Sequence, residues 1–258
     1  MKELSRSVAM AFSMFSVVPM PRIAWKKENM KYMLCALPLV GIAVGGALYL
    51  WYALCCWLPI GNILFAAGMT LLPLALSGGI HMDGFCDTVD ALSSHADPQR
   101  KREILKDSHA GAFAVVFAVS YLLLYFALCT EVERRAGAVL LLGIYQVLSR
   151  SLGAFAGVVF PSGGKGLLSS FREAAAGKAA VILALWSVLC VTAMIALAPI
   201  SGLACAVAAL GCMWYLRAMS QKEFGGMSGD LAGFLITLLQ LVLLAVLILT
   251  EKVVAVCC

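Results

Sequence analysis

The sequence predicts an all-α fold, a polytopic integral membrane helical bundle of about seven transmembrane helices with its N-terminus in the cytoplasm. Three observations lead there. Of the 258 residues, 62% are hydrophobic and 13% charged, against roughly 45–50% and about 25% in an average soluble domain. The apolar residues gather into runs long enough to cross a bilayer, which takes about 20 residues each. The basic residues fall almost entirely on one side of those runs.

The elements follow in order. In residues 1–31, Lys2 and Arg6 precede an apolar stretch that runs into Pro19-Met20-Pro21-Arg22 without a small-residue cleavage pattern, so the segment is expected to be retained. It reads as an interfacial helix or a short re-entrant segment. Candidate spans then lie near 33–58, 62–79, 112–129, 136–160, 180–198, 200–216 and 231–249. Polar blocks separate the second and third spans (His81 to His109), the fourth and fifth (Pro161 to Lys178) and the sixth and seventh (Arg217 to Asp230). If the N-terminus is inside, all three share its side. Fifteen of the 19 Lys and Arg then lie inside, three outside and Arg150 within a span. That asymmetry orients the chain, and residues 1–258 read as one membrane-embedded domain.

Composition also excludes functions. A net charge of +5 is ordinary for basic inner loops and gives no argument for nucleic acid. Most of the ten cysteines sit in apolar runs as small hydrophobes, with no zinc spacing among them. Cys257 and Cys258 lack a prenylation box, because Ala255 occupies the required position. The loop Pro161-Ser162-Gly163-Gly164-Lys165-Gly166 fails the nucleotide-binding P-loop pattern, since Gly166 stands where Ser or Thr is needed. It is either an anion-binding turn using Lys165 or a plain connection.

The chemistry concentrates in His81-Met82-Asp83-Gly84-Phe85-Cys86-Asp87-Thr88-Val89-Asp90. Asp83, Asp87 and Asp90 are spaced i, i+4, i+7, which stacks three carboxylates on one helix face. Like charges so placed repel unless a cation sits among them, and magnesium takes one or two carboxylates together with phosphates and waters. The alternative is a solvated acidic face. Asp107 follows Lys106 just before the third span, and Arg100-Lys101-Arg102 would bind a phosphorylated substrate or lipid head groups. Gly225-Gly226-Met227-Ser228-Gly229-Asp230 leads into the last span, with Asp230 either a metal ligand or a helix cap over an anion nest. Arg150 interrupts the fourth apolar run, as a functional or ion-paired group or as one that snorkels. His81 is either a base or ligand near Asp83 or a hydrogen-bonded interfacial histidine.

The order Gly78-Gly79-x-His81-x-Asp83-Gly84-x-x-Asp87-x-x-Asp90, then Lys106-Asp107-x-x-x-Gly111, then Gly225-Gly226-x-Ser228-Gly229-Asp230, resembles the cobalamin synthase family, adenosylcobinamide-GDP ribazoletransferase. Phe15-Ser16-Val17-Val18-Pro19-Met20-Pro21 is similar to that family's opening, and the likeness spans the chain. Ala91, Ala114, Thr237 and Gln240 depart from its pattern without removing a core ligand. CDP-alcohol phosphotransferases are a more distant likeness, and a cation-coupled transporter is the reading from another class.

The resemblance implies magnesium-dependent transfer of the adenosylcobinamide phosphoryl group from adenosylcobinamide-GDP to alpha-ribazole or its phosphate, releasing GMP. On that reading Asp83, Asp87, Asp90, Asp107 and Asp230 hold magnesium. Lys106, Arg150, Lys165, Gly225, Gly226 and Ser228 contact substrate phosphates. His81, Asp83 and Asp87 form the reacting centre, with the base that takes the hydroxyl proton left between His81 and an aspartate. The implied setting is the cell membrane, multi-pass, with the active site facing the cytoplasm, and it leaves room for a homo-oligomer.

Overall fold

The computed structural model describes residues 2–107, 109–164, 166–175 and 177–257. Its helices are α1 (Lys2–Phe15), α2 (Lys27–Met30), a 3-10 turn (Leu34–Ala36), α3 (Leu37–Trp57), α4 (Asn62–Leu76), α5 (Ile80–Ser93), α6 (Pro98–Ile104), α7 (Ala112–Thr130), α8 (Ala136–Val159), α9 (Leu167–Ala174), α10 (Ala179–Leu197), α11 (Pro199–Phe224) and α12 (Gly229–Cys257). Six stretches among the described residues are long and apolar enough to cross a membrane: Lys27–Trp57, α7, α8, α10, α11 and α12. The remaining expected span, 62–79, is α4, which forms with α5 a broken pair bent by 89°. Gly78 and Gly79, with φ of 63° and 78°, form the bend in the left-handed region that side chains rarely tolerate. The turn lays the acidic helix across the end of the bundle instead of continuing the span.

Burial sorts the helices into a centre and a rim. Most of the apolar windows of α8 and α12 are buried, 72% and 67%, whereas α10 and α7 bury only 17% and 22%. The rim helices are apolar all round, as lipid-facing segments must be. At the centre, α8 packs on α3, α10 and α12, and α12 packs on α5 and α11. Phe85 of α5 stacks on Phe234 of α12 at 5.6 Å, and the Thr237 hydroxyl donates to the His81 carbonyl at 3.0 Å. These contacts fix the acidic helix against the start of the last span.

The N-terminal segment is a helix docked on the bundle. Met10 and Ala11 join an apolar cluster with Leu37, Phe171 and Ile236. The Ser7 hydroxyl donates to the Asn29 carbonyl at 2.6 Å, tying α1 to α2. Short α6 starts where Asp97 accepts from the N–H groups of Gln99 and Arg100 and Pro98 opens the first turn, a combination that satisfies orphan donors with a preset φ.

Candidate active site

A cavity of about 660 Å³ opens at the end of the bundle where α5, α6, α9 and the start of α12 meet. His81, Asp83, Lys106, Ser228 and Asp230 all line it, from three segments far apart in sequence. Asp83 stands in the first turn of α5 and Asp230 in the first turn of α12. The capping alternative for Asp230 falls to its neighbour, because the Leu231 N–H donates to the Ser228 hydroxyl at 3.2 Å. The backbone N–H that acts on the Asp230 carboxylate is its own. The carboxylate's one polar contact among the described side chains is a long bond, 3.4 Å, from the same Ser228 hydroxyl.

Asp87 lies a turn beyond Asp83, half-buried and within the fields of Asp83, Asp230 and Asp90, in that order of strength. None of Asp83, Asp87 and Asp230 has a salt-bridge partner among the described residues. Nor do three His, Cys, Asp or Glu side chains among those residues converge closely enough to enclose a cation by themselves. Asp83 and Asp230 thus form an acidic edge open to the cavity, with Asp87 behind them outside its lining. That edge suits a hard cation that completes its shell with ligand oxygens and water.

Two expected members of the acidic set are placed elsewhere. Asp90 turns away from the cavity and accepts from the N–H groups of Gly111 at 2.5 Å and Ala114 at 2.8 Å, satisfying donors at the start of α7. Asp107 sits exposed outside the cavity lining, paired with His109 at 2.8 Å. The His109 side chain and backbone N–H hold its carboxyl below the usual carboxylate range.

The phosphate contacts also need correction. Arg150 is wholly buried in α8 and does not line the cavity. It donates to the Gln146 carbonyl and side-chain oxygen at 3.0 and 2.7 Å, while its Nε and Nη2 have no partner among the described residues. Gly225 and Gly226 form no anion nest, because their N–H groups close the end of α11 by donating to the carbonyls of Gln221 and Ser220. Lys165 lies outside the described residues.

The two glycine-rich loops instead join each other. The Met227 N–H donates to the Pro161 carbonyl at 2.8 Å, and the Gly163 N–H to the Met227 carbonyl at 3.0 Å. A side-chain carbon on Gly226, whose φ is 140°, would come 2.5 Å from the Gly163 nitrogen. Only glycine permits that approach, and the joined loops form one wall of the cavity.

Arg102 is a cavity cation that the sequence reading did not separate from its run. Its Nη1 donates to the Gly163 carbonyl at 2.9 Å, so α6 braces the joined loops. Lys101 instead makes a buried ion pair with Glu223 at 2.5 Å, and Arg100 pairs with Glu103 in solvent at 2.7 Å. The signal was present in Asp97-Pro98: once a helix starts there, each step of about 100° sends successive basic residues to different faces. His81 stacks against Phe15 with ring centroids 6.0 Å apart, and its Nε2 is buried without a partner among the described residues.

The family model described as cobalamin-5-phosphate synthase matches residues 7–248. A curated adenosylcobinamide-GDP ribazoletransferase of Lachnoclostridium phytofermentans is 36% identical over 250 residues, 96% of this chain and 95% of the relative. Proteins of the same name from Clostridium perfringens and Geobacillus thermodenitrificans are 31% and 32% identical. The first alignment covers 93% of this chain and 96% of the relative, and the second 92% of each. No solved structure matches the chain.

Proposed function

The chain belongs to the cobalamin-5-phosphate synthase family, and from that premise we propose that its cavity transfers the adenosylcobinamide phosphoryl group from adenosylcobinamide-GDP to a ribose hydroxyl of alpha-ribazole or alpha-ribazole phosphate. The ribose oxygen bonds to the phosphorus on the cobinamide side as the bond from that phosphorus to the GMP oxygen breaks. GMP leaves, and the hydroxyl proton passes to His81 or to an aspartate. The observation that carries this reading is that Asp83 and Asp230, without an ion-pair partner among the described residues, share the lining of one cavity with Arg102 and Lys106. A diphosphate bound there meets both charge types that pyrophosphate chemistry requires.

Magnesium fits the donor set, because Asp83 and Asp230 offer hard oxygens whose mutual repulsion a cation removes, with Asp87 behind them. When bound it neutralises charge on the pyrophosphate and on the departing nucleotide. Arg102 and Lys106 orient the phosphates. Asp90 contributes indirectly by fixing the start of α7 against α5.

Fifteen of the 19 basic residues fall in the segments at this end of the bundle, an asymmetry that supports a site on the cytoplasmic face of the cell membrane. The test is GMP release by the purified protein in lipid nanodiscs with both substrates. Release that depends on magnesium and stops with chelator supports the proposal. No magnesium-dependent release overturns it.

A further inference from the structure

The cavity has two walls of opposite character. One holds the acids and cations described above. The other is built from Phe15 of α1, Leu37 of α3, Leu168 and Phe171 of α9 and Ile236 of α12. These residues belong to one contiguous apolar cluster. Phe171 is 3% exposed and packed against Trp25, their rings 6.1 Å apart, so it backs the wall that half-buried Phe15 presents. His81 lies at the seam, stacked on Phe15 while standing two residues before Asp83.

The proposed reaction explains the polar wall and leaves the apolar one unaccounted for. A volume of about 660 Å³ suits one drug-sized ligand or the reacting ends of two. It does not admit a whole corrin macrocycle beside a diphosphate. Guanine is no match for the apolar wall, where its polar edge would lose the hydrogen bonds it makes in water. The remaining group is the dimethylated benzimidazole of the acceptor, which is flat, apolar and carries its ribose at one end. Phe15 stacks on His81, two residues before Asp83, so a base held beside Phe15 has the acidic edge within the same cavity.

We propose that the aromatic wall that Phe15 presents and the buried Phe171 backs is the subsite for the base of the acceptor nucleoside, which makes Phe15 a contact and Phe171 a positioning residue for acceptor specificity. The proposal rests on the transferase reading above. It assigns the corrin to the outside of the cavity, with only the diphosphate end of the donor entering.

The test is steady-state GMP release by the purified protein in nanodiscs, with each substrate varied in turn. Phe171→Leu keeps apolar bulk in a packed position while removing the flat ring, and Phe15→Ala probes the half-buried side. Both variants are expected to raise KM for alpha-ribazole by roughly tenfold to a hundredfold, leaving kcat and the donor KM near the parent values. In the parent, kcat/KM falls from the dimethylbenzimidazole riboside to the unmethylated riboside and falls further for adenosine. The variants flatten that series. Calorimetric titration of alpha-ribazole alone reads the same loss of affinity without turnover.

A rise in the donor KM instead, or no change in either KM, overturns the subsite. Release of no GMP by the parent protein with any acceptor overturns the transferase reading itself and is recognised before any variant is compared.

Discussion

The charges at the far end of the bundle and the charges that line the cavity are treated in opposite ways. At the end away from the cavity, Arg135 pairs with Glu133 and Glu251, and Lys252 pairs with Glu131. Arg134 donates to the carbonyls of Ile60 and Cys55 and lies over the Phe65 ring, closing the exit of α3. At the cavity end, Asp83, Asp87 and Asp230 crowd one another with no cation bridged to them among the described residues. Arg102 and Lys106 face the same cavity. Charges paired within the chain hold elements together. Charges kept apart from their opposites across a cavity are an arrangement that a bound diphosphate and its cation complete.

The sharpest way to break that contrast is Asp83→Asn. If the acidic edge holds a metal-bound diphosphate, transfer falls by about 10³-fold, the scale of losing a preorganised electrostatic contact at the reacting centre. Folding should change by less than about 1 kcal/mol, because a favourable charge in the first turn of α5 is lost while a repulsion is relieved. GMP release together with thermal unfolding in detergent reads both. Turnover like the parent's would remove Asp83 from the metal set.

Next in size is Gly226→Ala. The added carbon would meet the Gly163 nitrogen at 2.5 Å in a backbone conformation that side chains rarely adopt, so the joined loops must part. Displacing that wall and the Arg102 bound to it is expected to cost about 10²-fold in transfer, as misplacements of order 1 Å do. The strain should lower stability by about 1–3 kcal/mol. Gly46→Ala is the control, since its added carbon meets open space. Equal activity in the two variants would show that the joined loops do not shape the site.

The spans were legible because the bilayer imposes a length and a composition that no packing detail overrides. The acidic helix was legible because spacing alone puts Asp83, Asp87 and Asp90 on one face. What Asp90 does was not, since its partners, the N–H groups of Gly111 and Ala114, reach it only where α7 happens to begin in space. Arg150 sits in an apolar run that reads the same whether its side chain turns to lipid, cavity or core, and only packing sends it to Gln146. The glycine loops read as separate anion nests because nothing local reveals that Met227 bonds Pro161, a residue 66 positions earlier. Local pattern thus gave each element its chemistry, and tertiary contact decided which groups were already used.

The smallest expected effect lies at the opposite end and tests the other half of the comparison. Arg135 and Glu251 are 2.8 Å apart with half of the arginine side chain in solvent, and Arg135 retains Glu133 when Glu251 is removed. Glu251 is only 19% exposed, but with its partner half in solvent the pair contributes about 0.2–1 kcal/mol, and salt screens it. Glu251→Gln should therefore shift the unfolding midpoint slightly in low salt and leave it unchanged in high salt, with GMP release equal to the parent's throughout. A loss of transfer approaching that of Gly226→Ala would mean that the paired end is coupled to the cavity through α12, the one helix that runs from Asp230 to Glu251. Unchanged transfer would confine the chemistry to the cavity, whose acids have no ion-pair partner among the described residues.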